Sequence, residues 1–143
     1  MTRFRQRFLA LAATVGVAVG VLVPSAAYAD YWGNETNKAV SSGAPSGHYY
    51  ECRSVAGATA CFMPYGDKFY VRDDSADGHS AAANWTFDGP DGYRTGACVN
   101  QLGNGHWGVC NKDFAEGYSI RVWPAVYENG NQIRAGVTVW MAT

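Results

Sequence analysis

From Tyr49 onward, apolar and polar residues alternate in short runs, the period of a strand with one buried face. Phe69 and Val71 alternate with Lys68, Tyr70 and Arg72. Ala81, Ala83, Trp85 and Phe87 alternate with Ala82, Asn84 and Thr86, and Tyr118, Ile120 and Val122 with Ser119, Arg121 and Trp123. The longest run sets Ile133, Ala135, Val137, Val139 and Met141 against Arg134, Gly136, Thr138 and Trp140. It should pair with 118–127 across Glu128-Asn129-Gly130-Asn131, because Asn-Gly tolerates the positive φ angles of a two-residue hairpin turn. Other breaks fall at Tyr65-Gly66-Asp67, Ala76-Asp77-Gly78, Asp88–Gly92 and Gly103-Asn104-Gly105. One helical turn is expected around Asp113–Gly117. Seven or eight short antiparallel strands with breaks of this kind predict an all-β domain over 48–143, a small sandwich or barrel.

The first 47 residues lack that period. Arg3, Arg5 and Arg7 precede an apolar run from Phe8 to Val23, and Ala27-Tyr28-Ala29 supplies the small-x-small pattern of a signal-peptidase site. Residues 1–29 are therefore expected to be a cleaved signal peptide, with no membrane span left afterwards and the rest of the chain secreted. Residues 30–47 are small, polar and rich in Gly and Ser, which predicts a flexible N-terminal strap led by Tyr31 and Trp32. Two aromatics on a mobile arm suit a partner's groove; the alternative is that they fold back on their own domain.

Removing the export segment changes the charge. Eight Lys and Arg then face twelve Asp and Glu, a clearly acidic balance that argues against nucleic acid as a partner. Export also sets the chemistry of Cys52, Cys61, Cys98 and Cys110. Four cysteines allow three pairings. Closeness in sequence favours Cys52–Cys61 and Cys98–Cys110, each closing a loop of about ten to thirteen residues and contributing roughly 3 kcal/mol. A metal site would need C-x-x-C pairs or nearby histidines, whereas His48, His79 and His106 are scattered. No metal or cofactor is expected.

Catalytic motifs are sparse. The chain holds no G-x-S-x-G elbow and no H-E-x-x-H. Gly103–Gly108 matches G-x-G-x-x-G in letters, yet no helix is expected after it, so it reads as a turn. Asp73–Gly78 looks like half of a calcium loop, with Asn84 where a glutamate would close it. The segment between Cys52 and Cys61 carries Arg53 and Ser54, and a disulfide-closed loop with a basic residue is what an inhibitor of trypsin-like proteases presents. Tyr31, Trp32, Arg53 and Ser54 are thus the candidate partner-binding residues, and no catalytic residue is assigned. A small hydrolase would need a histidine, His79 or His106, to converge with a carboxylate. A carbohydrate or cell-wall binder would use exposed Trp and Tyr.

Several segments carry a resemblance. Gly66-Asp67-Lys68, Asp77-Gly78-His79-Ser80, Trp85, Arg94–Asn100 and Trp107–Phe114 resemble small secreted proteins of streptomycetes and related actinobacteria. The likeness covers about residues 58–127, and most such proteins have no assigned activity. In size, export, cysteine use and β pattern the chain is also similar to the small adaptor subunits of umbrella-shaped antibacterial toxin particles. That likeness implies a non-enzymatic protein that links a toxin-bearing chain to a lectin-bearing chain.

Overall fold

The computed structural model describes residues 30–143; the expected signal peptide lies outside the described residues. The strands are β1 (Glu35–Lys38), β2 (Val40–Ser42), β3 (Glu51–Val55), β4 (Ala58–Met63), β5 (Lys68–Asp73), β6 (Ser80–Gly89), β7 (Gly92–Asn100), β8 (Trp107–Asn111), β9 (Ser119–Glu128), β10 (Asn131–Ala135) and β11 (Val139–Ala142). One sheet has the order β1-β7-β6-β9-β10, with β11 also on β9. The other runs β2-β8-β5-β4-β3. Their inner faces pack together as a β-sandwich, so the expected fold class is the one observed, with eleven strands rather than seven or eight.

The inner face follows the alternation. Phe69 and Val71 of β5, Ala81, Ala83, Trp85 and Phe87 of β6, and Ile120 and Val122 of β9 are all buried in one core. Phe114 closes one end of it, 4.6 Å from Phe87 and 5.2 Å from Trp85 between ring centroids. The backbone N–H of Phe114 donates to Asp67 Oδ2 at 2.8 Å. Burial pushes the Asp67 carboxyl above its ordinary range. Residues 112–115 carry no regular secondary structure and form a plug, with a turn only at Glu116-Gly117, so the helical turn expected over Asp113–Gly117 does not form.

Both disulfides form as the spacing suggested. Cys52–Cys61 joins directly paired residues of β3 and β4. Cys98–Cys110 joins β7 of one sheet to β8 of the other, so it pins the two layers of the sandwich together.

Residues 30–47 depart most from expectation. Residues 35–42 are two edge strands, one on each sheet, and not part of a flexible strap. β1 lies parallel to β7 and β2 antiparallel to β8, with the switch at buried Ala39. Backbone hydrogen bonds make an edge strand without any apolar period, which is why a polar segment hid it. Gly96 permits this approach, since a Cβ there would lie 2.3 Å from the Glu35 carbonyl oxygen and 2.4 Å from the Trp85 ring.

The C-terminal run is also divided. Asn129 (φ 49°) and Gly130 (φ 82°) make the expected turn. β10 and β11 then both pair with β9, interrupted at Gly136-Val137-Thr138. Pro124 of β9 faces this break; its carbonyl accepts from Gly136 N–H at 2.9 Å, but it has no N–H to return. A second irregularity between Gln132 and Arg134 shifts the register once more. As a result Val139 and Met141 are buried while Ile133 and Val137 are exposed.

Candidate functional site

The predicted site residues do not come together. Tyr31 and Trp32 lie against the outer face of the six-stranded sheet instead of leading a free arm. The Tyr31 ring meets Tyr127 edge-on at 4.8 Å, and Trp32 meets Trp123 at 5.3 Å. Trp32 donates its backbone N–H to the Tyr127 hydroxyl at 3.1 Å and its indole N–H to the Trp85 carbonyl at 3.2 Å. The Tyr127 hydroxyl also accepts from Asn84 Nδ2 at 2.9 Å. This cover explains why Ala82 and Asn84, read as the polar side of β6, are buried as well. Asn84 therefore faces Tyr127 and Gln132, not the Asp73–Gly78 turn, and closes no calcium loop.

An ion network fixes the start of β1. Arg94 grips Glu35 with both forks, Nε to Oε1 at 2.8 Å and Nη2 to Oε2 at 2.9 Å, and Lys112 Nζ reaches Oε2 at 2.9 Å. The Arg94 hydrogen bonds, reinforced by Lys112 against opposing burial, lower the Glu35 carboxyl from 4.5 to about 2. A depressed folded value means the network stabilises the protein above pH 4.5 and loses that contribution as pH falls toward about 2. A third of the Glu35 side chain is exposed, so solvent screening reduces the stabilisation to about 1–2 kcal/mol. Glu35→Gln should cost that much at pH 7 and almost nothing near pH 2. Urea titrations of both proteins at the two pH values test this; an equal loss at both pH values would contradict it.

Arg53 and Ser54 sit within β3, paired with Ala60 and Thr59, rather than on a protruding loop. The connection is only Ala56-Gly57, with Gly57 at φ 99°. Arg53 donates from Nη1 to the Cys52 carbonyl at 2.8 Å and lies 3.3 Å from Glu51 Oε2. Ser54 Oγ shares a 2.8 Å hydrogen bond with Thr59 Oγ1, which donates in turn to Asp74. A protease would have to unzip this ladder to reach the Arg53-Ser54 bond.

A tyrosine-rich surface flanks the same hairpin. Because β2 and β3 lie at opposite edges of the five-stranded sheet, residues 43–50 must cross its width, about 19 Å at strand spacing. At the end of this crossing His48 stacks on Tyr65 of the β4–β5 turn, with centroids 3.8 Å apart. Tyr49 (68% exposed), Tyr65 (64%) and Tyr50 (39%) present their rings to solvent. Tyr49 donates to Glu51, which holds its hydroxyl pKa above the usual tyrosine value. Glu51 is thus shared between Tyr49 and Arg53, and the rings and charges stand on a hairpin braced by Cys52–Cys61. Sequence reasoning saw the hairpin but missed the tyrosines, because the crossing of residues 43–50 is what brings His48, and with it Tyr49 and Tyr50, to the Tyr65 turn.

His79 meets two carboxylates. Nδ1 lies 3.2 Å from Asp77 Oδ2, and Nε2 lies 3.5 Å from Glu128 Oε1. The contacts are close enough for an ion pair, but neither makes a hydrogen bond, and Nδ1 is buried. Asp73, Ser75, His79, Gln101 and Asn104 line a cleft of about 400 Å3 here. Among the described residues no serine hydroxyl is hydrogen-bonded to His79, so the cluster ties the 73–79 turn to the β9–β10 hairpin without forming a nucleophile–base pair.

The class that fold and site define is a two-sheet, disulfide-braced β-sandwich with exposed aromatic surfaces. Compared with known proteins, the chain matches no family model, no curated protein and no solved structure.

Proposed function

We propose that this chain is a secreted, non-enzymatic protein-binding module that recognises its partner through the tyrosine-rich surface beside the β3–β4 hairpin. The exposed cluster of Tyr49, Tyr50 and Tyr65 on a braced hairpin carries this reading. Tyrosine offers large, stiff, amphipathic contact area with little conformational entropy to lose, and the disulfide reduces that loss further. Arg53 and Glu51 at its border provide charged contacts. Two disulfides in a small sandwich suit an oxidising compartment, consistent with export. The most concrete form of this function is an adaptor joining other secreted chains, toxin-bearing and lectin-bearing, as the actinobacterial resemblance implies. Arg53 held inside a strand gives the protease-inhibitor alternative no support.

The test is recovery of partners from the culture medium of the producing organism, using the tagged full chain. A stable stoichiometric complex is expected. Tyr49→Ala combined with Tyr65→Ala should weaken capture by at least about tenfold, because both rings are exposed and their loss leaves the core intact. A chain that stays a solitary monomer, or a capture indifferent to both substitutions, would reject the proposal.

A further inference from the structure

The outer face of the six-stranded sheet is covered in one half only. Tyr31 and Trp32 lie over Tyr127 and Trp123, and the other half is left as a trough. Two adjacent rows of residues make it. Thr86 pairs with Arg121, which pairs with Trp140; Asp88 pairs with both Tyr93 and Ser119. Because Trp85, Ile120 and Val122 point into the core, these six alternate residues all face outward. Tyr93 and Trp140 stand on β7 and β11, three strand spacings or about 14 Å apart, as exposed aromatic walls (65% and 64%). The floor between them is polar, and the cleft they enclose holds about 210 Å3.

Arg121 is the central group of that floor. Its guanidinium carbon lies 4.8 Å from the Trp140 ring centroid and 5.8 Å from that of Trp123. Its Nε is buried without a hydrogen-bond partner, and among the described residues no carboxylate comes within 4.0 Å of it. Asp88 likewise has no cation at that distance among the described residues. The trough therefore brings a guanidinium without a carboxylate partner and a carboxylate without a cationic partner onto one floor, at diagonal positions of β9 and β6, with the Ser119 hydroxyl able to donate or accept.

From this geometry we infer that the trough binds one neutral hexopyranose unit of a polysaccharide. A pyranose has an apolar C–H face that stacks on Trp140, with Tyr93 bounding the far side of the trough, and a rim of hydroxyls that donate to Asp88 and accept from Arg121. The volume suits a single ring and is smaller than the pockets that hold drug-sized ligands. A net charge on the ligand is disfavoured in either sense. A carboxylate drawn to Arg121 is held close to Asp88, and an amine drawn to Asp88 is held close to Arg121, so only a neutral ring uses both groups without repulsion. This site is separate from the tyrosine-rich hairpin and does not rest on the protein-binding proposal.

The test is affinity electrophoresis of the full chain through native gels containing a soluble β-glucan, a pullulan or a galactomannan, with polygalacturonate as the acidic comparison. Retardation in at least one neutral gel is expected. Trp140→Ala and, separately, Asp88→Asn should each weaken it by about tenfold or more. Both side chains are exposed, so the thermal unfolding midpoint should stay near that of the unaltered protein and show the loss to be local. Tyr49→Ala combined with Tyr65→Ala should leave the retardation unchanged. Free migration in all three neutral gels would overturn the inference. So would retardation by polygalacturonate alone, retardation that survives both trough substitutions, or retardation lost with the tyrosine pair.

Discussion

Replacing Trp85 by alanine should remove about 3–5 kcal/mol of folding free energy, the range for deleting a buried aromatic side chain. That is a large share of the roughly 5–15 kcal/mol that holds a domain of this size together. Trp85 is fully buried, stacked 5.7 Å from Phe69 and edge-on to Phe114 at 5.2 Å. Lys112 Nζ lies 5.2 Å from its ring centroid, so the cation gripping Glu35 also rests on the indole. Alanine leaves a cavity where the two sheets, the Phe114 plug and the β1 anchor meet. Trp85→Phe keeps much of the stacking and should cost less than half as much. Urea unfolding followed by circular dichroism measures both, since the tryptophan signal itself changes. A Trp85→Ala loss below about 1 kcal/mol would mean that this ring does not organise the core.

The second large effect concerns Cys98–Cys110. Replacing both residues by alanine should cost about 3 kcal/mol from the loop constraint, with a further loss from the packing of two buried sulfurs. The paired change at Cys52 and Cys61 removes a constraint of similar loop length, yet those residues are already aligned by the β3–β4 ladder. The inter-sheet pair should therefore be the costlier to lose, read as the difference in denaturation midpoint at matched slopes. The reverse order would show that the sheets are held by side-chain packing alone.

The inner face of the sandwich was legible because Phe69, Val71, Trp85 and Ile120 obey a period of two and have no other place to go. The disulfides were legible because short separations favour pairing between consecutive strands. Legibility ended at the outer faces. Ala82 and Asn84 look like a solvent-facing row until Tyr31 and Trp32 are known to cover them. Glu35 looks like a loop residue until Arg94, fifty-nine positions away, grips it. The 133–141 alternation was real, but Pro124 on the facing strand withholds a hydrogen bond and breaks the strand in two. The candidate surfaces lie beyond sequence reach for the same reason. His48, next to Tyr49, meets Tyr65 through a crossing segment, and Tyr93, Arg121 and Trp140 share a trough only once β7, β6, β9 and β11 are set side by side. Local patterning dictates which residues are inside, whereas long-range register decides which outside residues become neighbours.

The placement of β1 and β2 has a consequence for biosynthesis. A chain made or exported N-terminus first delivers residues 35–42 early, yet their partners Gly96–Val99 and Trp107–Val109 emerge some sixty residues later. Until then both edges of the future sandwich wait as unpaired backbone, and neither sheet can complete its border. The first strands to appear therefore cannot be seated until β7 and β8 have been made, and pairings of this sequence separation slow folding relative to local hairpins. β3, β4 and β5, by contrast, pair with their neighbours in sequence and can form as soon as they appear, so the five-stranded sheet is built from its β3 side towards β2.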